Sequence, residues 1–325
     1  MNGPVIRDNK LIILMPVYND WGALSLLLPI LDRELKVDGL SAGILLVDDG
    51  STTAPPKNLG TLFEAIATVD VLSLRRNLGH QRAIAVGLSH IEANHPQSSV
   101  VVMDSDGEDD PKDVPRLIRE CVAHRGEKIV FAARTKRSEG WTFTLFYHLY
   151  RVVHFLLTGV RVRVGNFSIV PPHALKRLVA VSELWNHYAA AVHKAKLPLE
   201  LIPSERCARL AGPPRMDMVS LVVHGLSAMA VFGDRMGVRL LIVVSAGMVL
   251  TVTALAIVIC IRLATDLAVP GWATYATGLL FVMLMQMLLV ILVFVFVILA
   301  ARNAANVLPA HVYGQFIGDR QRIYG

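Results

Sequence analysis

Residues 100–111, VVVMDSDGEDDP, place a run of apolar residues directly before a dense group of carboxylates. Five of the seven residues from Asp104 to Asp110 are acidic. Because like charges at this density repel one another, a cation or a set of hydrogen-bond donors has to compensate them. The apolar run predicts a buried strand at 98–104, so the carboxylates lie at the carboxyl end of that strand.

The same alternation of apolar runs and helical spacing extends to both sides of this stretch. Four more apolar runs predict strands at 11–17, 43–49, 69–74 and 128–133. Leucines or other apolar residues at helical spacing predict helices at 20–35, 57–67, 80–92 and 112–125. Strands that alternate with helices predict an α/β fold with a mostly parallel sheet flanked by helices.

Polar segments of unusual composition follow each of the first four predicted strands. They are PVYND (16–20), VDDGS (47–51), RRNLGHQRA (75–83) and the acidic segment itself. In open α/β sheets, ligands bind outside the carboxyl ends of the strands. The sequence therefore predicts that these four segments converge on one ligand site.

Asp104 and Asp106 are the residues in this site with the clearest chemistry. Two carboxylates on alternate residues at a strand end can hold Mg²⁺ or Mn²⁺ and leave positions for substrate phosphates. The alternative is a solvated acidic turn before the next helix, which we assign to Asp109 and Asp110, with Pro111 at the helix start. We interpret His80 as a residue that begins a helix rather than as a catalyst.

The C-terminal third of the chain is far more apolar than the rest and predicts a transmembrane hairpin. Its two spans, about 239–261 and 277–300, are long enough to cross a bilayer, and their length disfavours the alternative of two buried core helices. The N-terminus has no apolar signal region. By the positive-inside rule, both ends of the hairpin are expected in the cytoplasm, because basic residues flank it at Arg235, Arg239, Arg302, Arg320 and Arg322.

Two further segments, 141–158 and 216–236, have the composition of amphipathic helices that lie in a membrane interface. Buried core helices are the alternative for both. The net charge of +6 is concentrated near these segments, which favours anionic lipid or phosphate as the partner over nucleic acid. Interfacial helices could also pack against copies of themselves, so a homo-oligomer remains open.

These patterns predict four parts of the chain. Residues 1–140 form the α/β core with the ligand site, and 141–236 form a part with the interfacial helices. Residues 237–302 form the hairpin and 303–325 a cytoplasmic tail. The expected location is the cytoplasmic membrane, with the large domain in the cytoplasm.

The motifs, taken in order, resemble those of glycosyltransferase family 2, which has the GT-A fold. PVYND resembles P-x-Y-N-E, VDDGS matches outright, RNLGHQRA resembles R-N-x-G-x-x-x-A, and DSDGEDDP stands where the family has D-x-D-L-Q-x-P. RLAGPPRM (209–216) resembles R-x-x-G-x-S-K-M. More narrowly, the chain is similar to the polyprenyl-phosphate glycosyltransferases, a group that includes the dolichyl-phosphate mannose synthases.

The resemblance implies that residues 1–140 are a nucleotide-sugar-binding GT-A core and that 141–236 are the acceptor-side part of the catalytic domain. It also implies a role for each matching residue. A nucleotide pocket would be lined by Pro16, Tyr18, Asp20, Val47 and Asp49. The ribose, diphosphate and metal of a sugar nucleotide would be held by Asp104, Ser105 and Asp106, with Glu108 in place of a metal-contacting Gln. Phosphates of donor or acceptor would be contacted by Arg134, Arg209 and Arg215.

The function implied is inverting, metal-dependent transfer of a sugar from a nucleotide sugar to a polyprenyl phosphate, with a UDP donor preferred over GDP. Transfer to a hydroxyl of a glycolipid or polysaccharide is the first alternative and would require a base. A catalytically inactive membrane scaffold is the second. The second alternative draws support from Asn166, where related sequences often carry Asp, and from Pro214, where the family has Ser.

Overall fold

The computed structural model describes residues 10–56, 59, 62–134, 152–160, 165–212, 218–265, 271–303 and 307–325. These residues divide into two compact units. The sheet unit contains the described residues up to 134 together with 165–231 and 307–325. The hairpin unit contains 152–160 and the described residues of 232–303.

The sheet unit is built on eight strands in the order β7-β5-β6-β4-β1-β2-β3-β8. β1 pairs in parallel with β2 and β4, β2 with β3, and β5 with β7, whereas β6 and β8 run antiparallel to their neighbours. The mostly parallel sheet predicted from the sequence is confirmed. The strands are β1 (Leu11–Val17), β2 (Ala42–Asp48), β3 (Ile66–Leu74), β4 (Ser99–Val102), β5 (Ile129–Arg134), β6 (Ser168–Val170), β7 (Leu199–Ser204) and β8 (Ile317–Tyr324).

Helices cover both faces of this sheet because its central strands are apolar on both sides. One buried layer lies between the sheet and α1 and α3, and the other lies between the sheet and α2, α5 and α6. The helices predicted at 20–35, 80–92 and 112–125 are confirmed. The helices of the sheet unit are α1 (Trp21–Val37), α2 (His80–Asn94), α3 (Asp113–Ala123), α5 (Pro172–Leu178), α6 (Tyr188–Lys194), α7 (Met218–Ala230) and α10 (Pro309–Phe316), and the described part of α4 is 152–158 in the hairpin unit.

The helix predicted at 57–67 was wrong. Residues 62–65 are not helical, and β3 begins at Ile66, three residues earlier than predicted. The reason is a tertiary contact. The carboxylate of Asp32, on α1, accepts hydrogen bonds from the backbone N–H groups of Glu64, Ala65 and Ile66 at 2.8–3.1 Å. These donors therefore have a fixed partner outside any helix.

The end of the chain differs from the expected tail. Helix α10 packs against α2, and β8 adds an antiparallel strand to the exposed edge of β3. The guanidinium of Arg322 donates to the carboxylate of Asp70 across this edge, with Nε 2.9 Å from Oδ1. The partners are about 250 residues apart in sequence, so no local pattern marks the strand.

The hairpin unit contains two long apolar helices, α8 (Gly233–Ala264) and α9 (Trp272–Asn303), which include both predicted spans. Their most apolar windows have mean hydropathies of 2.6 and 3.2 and are 11% and 0% buried, so they are not core helices of the described structure. Small residues let the two helices approach closely, because a Cβ on Gly237 would lie 2.8 Å from Ile298. The hairpin indicates a membrane-associated protein.

The two segments predicted as interfacial helices are only partly described. In the first, 152–158 are helical, and residues 141–151 lie outside the described residues. The second divides into α7 and the first turn of α8, with a break at 231–232. Their position in a membrane interface remains a prediction.

Candidate active site

The segments that follow β1 and β2 are joined by the side chain of Asn19. Its Oδ1 accepts hydrogen bonds from the backbone N–H groups of Thr52 and Thr53 at 2.8 and 3.1 Å. The backbone N–H of Asn19 donates to the hydroxyl of Ser51 at 2.8 Å. Asn19 has a φ of 54°, a left-handed conformation that Asn adopts more readily than most residues. PVYND and VDDGS therefore form one connected rim.

Asp49 connects this rim to the segment after β3. Its two carboxylate oxygens accept from the backbone N–H groups of Leu78 and Gly79 at 2.7 and 2.9 Å. Burial raises the pKa of Asp49, because desolvation outweighs these two hydrogen bonds. Gly50 follows with a φ of +71°, and a Cβ there would lie 2.7 Å from the backbone N of Asn77. This close approach requires glycine.

The acidic segment is folded by its own polar groups. The hydroxyl of Ser105 donates to the carbonyl of Pro16 at 2.9 Å, which fixes the segment to the end of β1. The carboxylate of Asp109, which is 3% exposed, accepts from the backbone N–H of Asp104 at 3.0 Å. Asp109 is therefore a structural residue of the turn, rather than the helix-capping residue that the sequence suggests.

Two arginines, Arg206 and Arg209, compensate three further carboxylates of the site. Arg209 donates to Asp106 at 3.0 Å and to Asp20, so one guanidinium joins the first and fourth segments. Arg206 donates to Glu108. Burial and the adjacent Asp104 carboxylate raise the pKa of Asp106, because they outweigh the effect of Arg209.

His80 contacts the same carboxylate group from the start of α2. Its Nε2 lies 3.2 Å from Oδ1 of Asp104 and 2.9 Å from Nδ2 of Asn166. Nε2 of Gln81 donates to Oδ1 of Asn166 at 3.1 Å, and Oε1 of Gln81 accepts from the backbone N–H of Tyr188 at 2.7 Å. Desolvation lowers the pKa of His80, but the Asp104 carboxylate outweighs it and the net shift is upward.

The structure brings together six of the residues predicted for the site. The six are Asp20, Asp49, Asp104, Ser105, Asp106 and Arg209. Glu108 belongs to the acidic segment, and Tyr18, two residues before Asp20 in the chain, is 39% exposed. Pro16 contributes its carbonyl, whereas the side chain of Val47 is fully buried in the core.

The side chains of two predicted arginines lie outside the part of the chain that the structure describes. Arg134 is the last residue of β5, and its guanidinium is not among the described atoms. Arg215 and the neighbouring Pro214 lie outside the described residues. Their contact with phosphates remains a prediction.

The donor set fits a divalent cation that is completed by a ligand. Among the described residues, no three His, Cys, Asp or Glu side chains converge into a closed metal site. The side chains of Asp106 and Asp104 are 17% and 23% exposed, although Oδ1 of Asp104 itself is buried. One or two carboxylates together with substrate phosphates are a common way to bind Mg²⁺. The structure therefore fits a metal held jointly with a diphosphate.

Sequence reasoning missed the polar partners of the acidic segment. His80 begins α2, as the sequence predicts, but its contact with Asp104 was not predicted, and Gln81 and Arg206 were given no role. His80 and Asn166 are 86 residues apart, and Arg206 and Glu108 are 98 apart. The sequence offered one signal, the polar pair His80-Gln81 directly after Gly79 at a strand end.

Comparison with known proteins gives the family and the fold. Residues 12–180 match the model of glycosyl transferase family 2. An undecaprenyl-phosphate 4-deoxy-4-formamido-L-arabinose transferase of Enterobacter sp. is 30% identical over 134 residues, which are 41% of this chain but only 39% of that protein. The uncharacterized glycosyltransferase YkcC of Bacillus subtilis is 25% identical over 274 residues, 81% of this chain and 80% of that protein.

Solved structures agree on the architecture. Glucosyl-3-phosphoglycerate synthase from Mycobacterium tuberculosis, in complex with Mn²⁺, UDP-glucose and phosphoglyceric acid, aligns with a TM-score of 0.51 at 17% identity. The alignment covers 72% of this chain and 82% of the synthase, and it shows a shared GT-A-type fold. The family model covers more than half of the chain, and its match includes the four segments that meet at the carboxyl ends of the strands. The chain belongs to glycosyl transferase family 2.

Proposed function

We propose that this protein transfers a sugar from a nucleotide sugar to a polyprenyl phosphate at the cytoplasmic face of a membrane. One observation carries the proposal. A cluster of carboxylates and bases is assembled from four loops at the carboxyl ends of the sheet, in a chain that also contains a long apolar hairpin. A soluble acceptor would not require that hairpin, whereas a polyprenyl phosphate remains in the bilayer.

The acidic segment would bind the donor. Asp104, Asp106 and Glu108 are the side chains that would hold a divalent cation, which when bound neutralises charge on the diphosphate. Arg209 is fixed between Asp20 and Asp106 and can exchange one of these partners for a phosphate oxygen. An arginine suits this role because its planar guanidinium binds phosphate through two parallel hydrogen bonds.

The acceptor explains why a general base is not required. A phosphate oxygen of the lipid is already anionic near neutral pH, unlike a sugar hydroxyl. The protein then has to align two anions and stabilise the leaving group, and electrostatics and positioning provide both. Direct displacement at the anomeric carbon would invert its configuration.

The course of the chain agrees with a two-span anchor. Helix α7 enters the hairpin from the sheet unit, and α10 and β8 return to the sheet unit after it. Two spans place both connections on one side of the membrane. Flanking arginines favour the cytoplasmic side.

The test is a reaction with purified full-length protein in nanodiscs that contain undecaprenyl phosphate. A panel of UDP- and GDP-sugars is added with Mn²⁺, with Mg²⁺ or with EDTA, and lipids are analysed by mass spectrometry. We expect one donor to yield a sugar-phosphate lipid that is labile to mild acid, and EDTA to abolish its formation. A product linked through a hydroxyl would support the polysaccharide alternative. The absence of product with every donor would overturn the proposal.

A further inference from the structure

One face of α9 is covered by α8 within the hairpin unit. A Cβ on Gly247 would lie 3.1 Å from Met287, and a Cβ on Gly237 would lie 2.8 Å from Ile298, so the two helices touch there. The half-buried residues of this face recur at spacings of three and four, as expected for one side of a helix. They are Leu280, Leu284, Met287, Ile291, Phe294 and Ile298.

A second face of α9 is exposed and carries a single polar group, the carboxamide of Gln286. Because consecutive residues are about 100° apart around a helix, Gln286 points well away from Met287 and from α8. Residues four, seven and eleven positions from Gln286 share its side of the helix, and all of them are exposed. With Gln286 they form what we call the valine face, and they are Tyr275, Leu279, Val282, Val290, Val293 and Val297.

Gln286 lies at the middle of the apolar helix. The apolar part of α9, Trp272–Ala300, has 29 residues, and Gln286 is the central one. At about 1.5 Å per residue it is roughly 21 Å from either end, and the hydrocarbon core of a bilayer is about 30 Å thick. In a helix that spans the membrane, the carboxamide is therefore near the midplane, where a glutamine side chain cannot reach water.

This carboxamide needs a partner that the described chain does not supply. It has one acceptor oxygen and two donor hydrogens, and no described residue hydrogen-bonds to it. The threonines of α8 differ, because Thr251 and Thr253 donate to the carbonyls of Gly247 and Val249 at 2.9 Å. Hydrocarbon offers no hydrogen bond, and glutamines within spans bond to polar groups of neighbouring helices. Gln286 therefore indicates a polar neighbour at mid-membrane depth.

We propose that the valine face binds the valine face of a second copy of this chain, and that the two Gln286 carboxamides hydrogen-bond to each other. Copies inserted in the same direction are related by an axis along the membrane normal, so each residue meets its counterpart at the same depth. A carboxamide both donates and accepts, so two of them satisfy one another. A polyprenyl chain is hydrocarbon and cannot do so.

The composition of the face suits a packed contact. Valine has one strongly preferred rotamer in a helix, so it loses little freedom when a neighbouring helix covers it. The inference goes beyond sugar transfer but rests on the membrane hairpin of the proposed function.

The first test compares two adjacent positions at nearly the same depth. Val293 is 52% exposed and lies on the valine face, whereas Leu292 is 57% exposed and lies about 120° from Gln286 around the helix. Val293→Cys and Leu292→Cys are each made in full-length protein with Cys260→Ser, which removes an exposed native thiol of α8. Oxidation in membranes should yield a disulfide-linked dimer of Val293→Cys and leave Leu292→Cys monomeric, since a disulfide requires Cα atoms within about 7 Å.

The second test measures the affinity of the copies. Energy transfer between two labelled populations of full-length protein, diluted with increasing lipid in vesicles, gives the Kd of the dimer. Gln286→Leu should raise this Kd about 3- to 30-fold, the usual range for an interhelical hydrogen bond of this kind. Gln286→Asn keeps a carboxamide and should have a smaller effect. Thr253→Val is the matched control, because that hydroxyl is already satisfied by its own helix.

The outcomes separate this inference from the proposed function. Equal cross-linking at 292 and 293, an unchanged Kd for Gln286→Leu, or a wild type that is monomeric in lipid would overturn the inference while sugar transfer could still stand. Release of the wild type from membranes by an alkaline carbonate wash would overturn both, because the hairpin would then not span a bilayer. Retention of each variant in washed membranes establishes that loss of the dimer is not loss of insertion.

Discussion

The acidic loop (104–110) and the entry loop of β3 (62–66) both depend on aspartates, but they use them in opposite ways. In the acidic loop, Asp104 and Asp106 face the side chains of His80 and Arg209 and remain partly exposed. The entry loop is held by Asp32 of α1, whose buried carboxylate accepts from consecutive backbone N–H groups of the loop.

The difference separates a carboxylate that can change partners from one that cannot. A side-chain partner can rotate away when a cation or a phosphate arrives, and water can reach the group that it leaves. A backbone N–H has no such freedom, and an unsatisfied buried donor costs about 1–3 kcal/mol. We therefore expect substitutions in the acidic loop to affect activity, and substitutions at Asp32 to affect folding.

The largest effect is expected for Asp106→Ala. Sugar transfer should fall about 10²- to 10³-fold, the usual effect of removing one preorganised electrostatic contact, with little change in Tm. Initial rates with the active donor measure it. Asp110→Asn is the matched control, because Asp110 lies in the same loop and accepts from the backbone N–H of Lys112 and from the thiol of Cys207. Unchanged turnover of Asp106→Ala would contradict the assignment of this loop to the donor.

Asp32→Ala should show the reverse of Asp106→Ala, with a loss of stability and no loss of activity in the folded protein. The free energy of unfolding should fall by about 3 kcal/mol, because three backbone N–H groups, two of them buried, lose their acceptor, while the folded fraction keeps its activity. Denaturant unfolding measures the change. Asp38→Ala removes an exposed ion pair with Arg119 just after the same helix and should cost less than about 1 kcal/mol.

Asp32 also gives a pH signature. Burial would raise the pKa of Asp32, but the hydrogen bonds from residues 64–66 outweigh it and hold the pKa below the ordinary 3.8. Its stabilisation is therefore complete above the unfolded-state value and is lost as the pH falls through the lowered pKa. Asp32→Ala should lose less stability than the wild type as the pH falls through that acidic range, and equal acid sensitivity of the two proteins would contradict this account.

Asp49→Asn tests a carboxylate that belongs to the site and also supports the backbone. It lies at the site rim but accepts from backbone N–H groups, and an amide nitrogen cannot replace the second acceptor. The free energy of unfolding should fall by about 1–2 kcal/mol. Transfer should fall about tenfold, because the segment that carries His80 loses a support. Asp48→Asn keeps the oxygen that accepts from Ser51 and should change both values little; a larger loss in that control would refute the comparison.

The smallest effect is expected at the edge between β3 and β8. Asp70→Asn weakens ion pairs with Arg320 and Arg322, which are 40% and 50% exposed, and should cost about 0.5 kcal/mol at low salt and less at high salt. Amide hydrogen exchange in β8 should become faster, whereas α1 keeps its protection. Burial would raise the pKa of Asp70, but the two arginines outweigh it, so this contribution is lost as the pH falls through the lowered pKa. Unaltered exchange in β8 would show that backbone pairing alone holds the strand.

Local patterns were sufficient for the elements that have strong periodicity. Leu24, Leu27, Leu28 and Leu31 mark one face of α1, and all four are fully buried. The uninterrupted apolar run that precedes Asp104 forms β4. The same patterns could not show that 57–67 is not a helix, because the deciding hydrogen bonds come from Asp32 on another element.

The site could be predicted in part, because its polar segments follow the strands directly along the chain. The order of strands and polar segments was enough to place Asp20, Asp49, Asp104 and Asp106 at one edge. It was not enough for His80 or Arg206, whose partners depend on how loops from distant parts of the chain pack. Val47 lies in a motif, but its side chain points into the core, which the motif does not indicate.

The sequence alone determined the alternation of strands and helices, the apolar hairpin and the concentration of carboxylates after β4, because these properties arise between neighbours along the chain. Only the tertiary structure decided which base each carboxylate meets, that the last residues add a strand beside β3, and that Asn166 contacts His80. Those outcomes depend on contacts across 80 to 250 residues, and the free energy of such contacts depends on packing that no local pattern encodes.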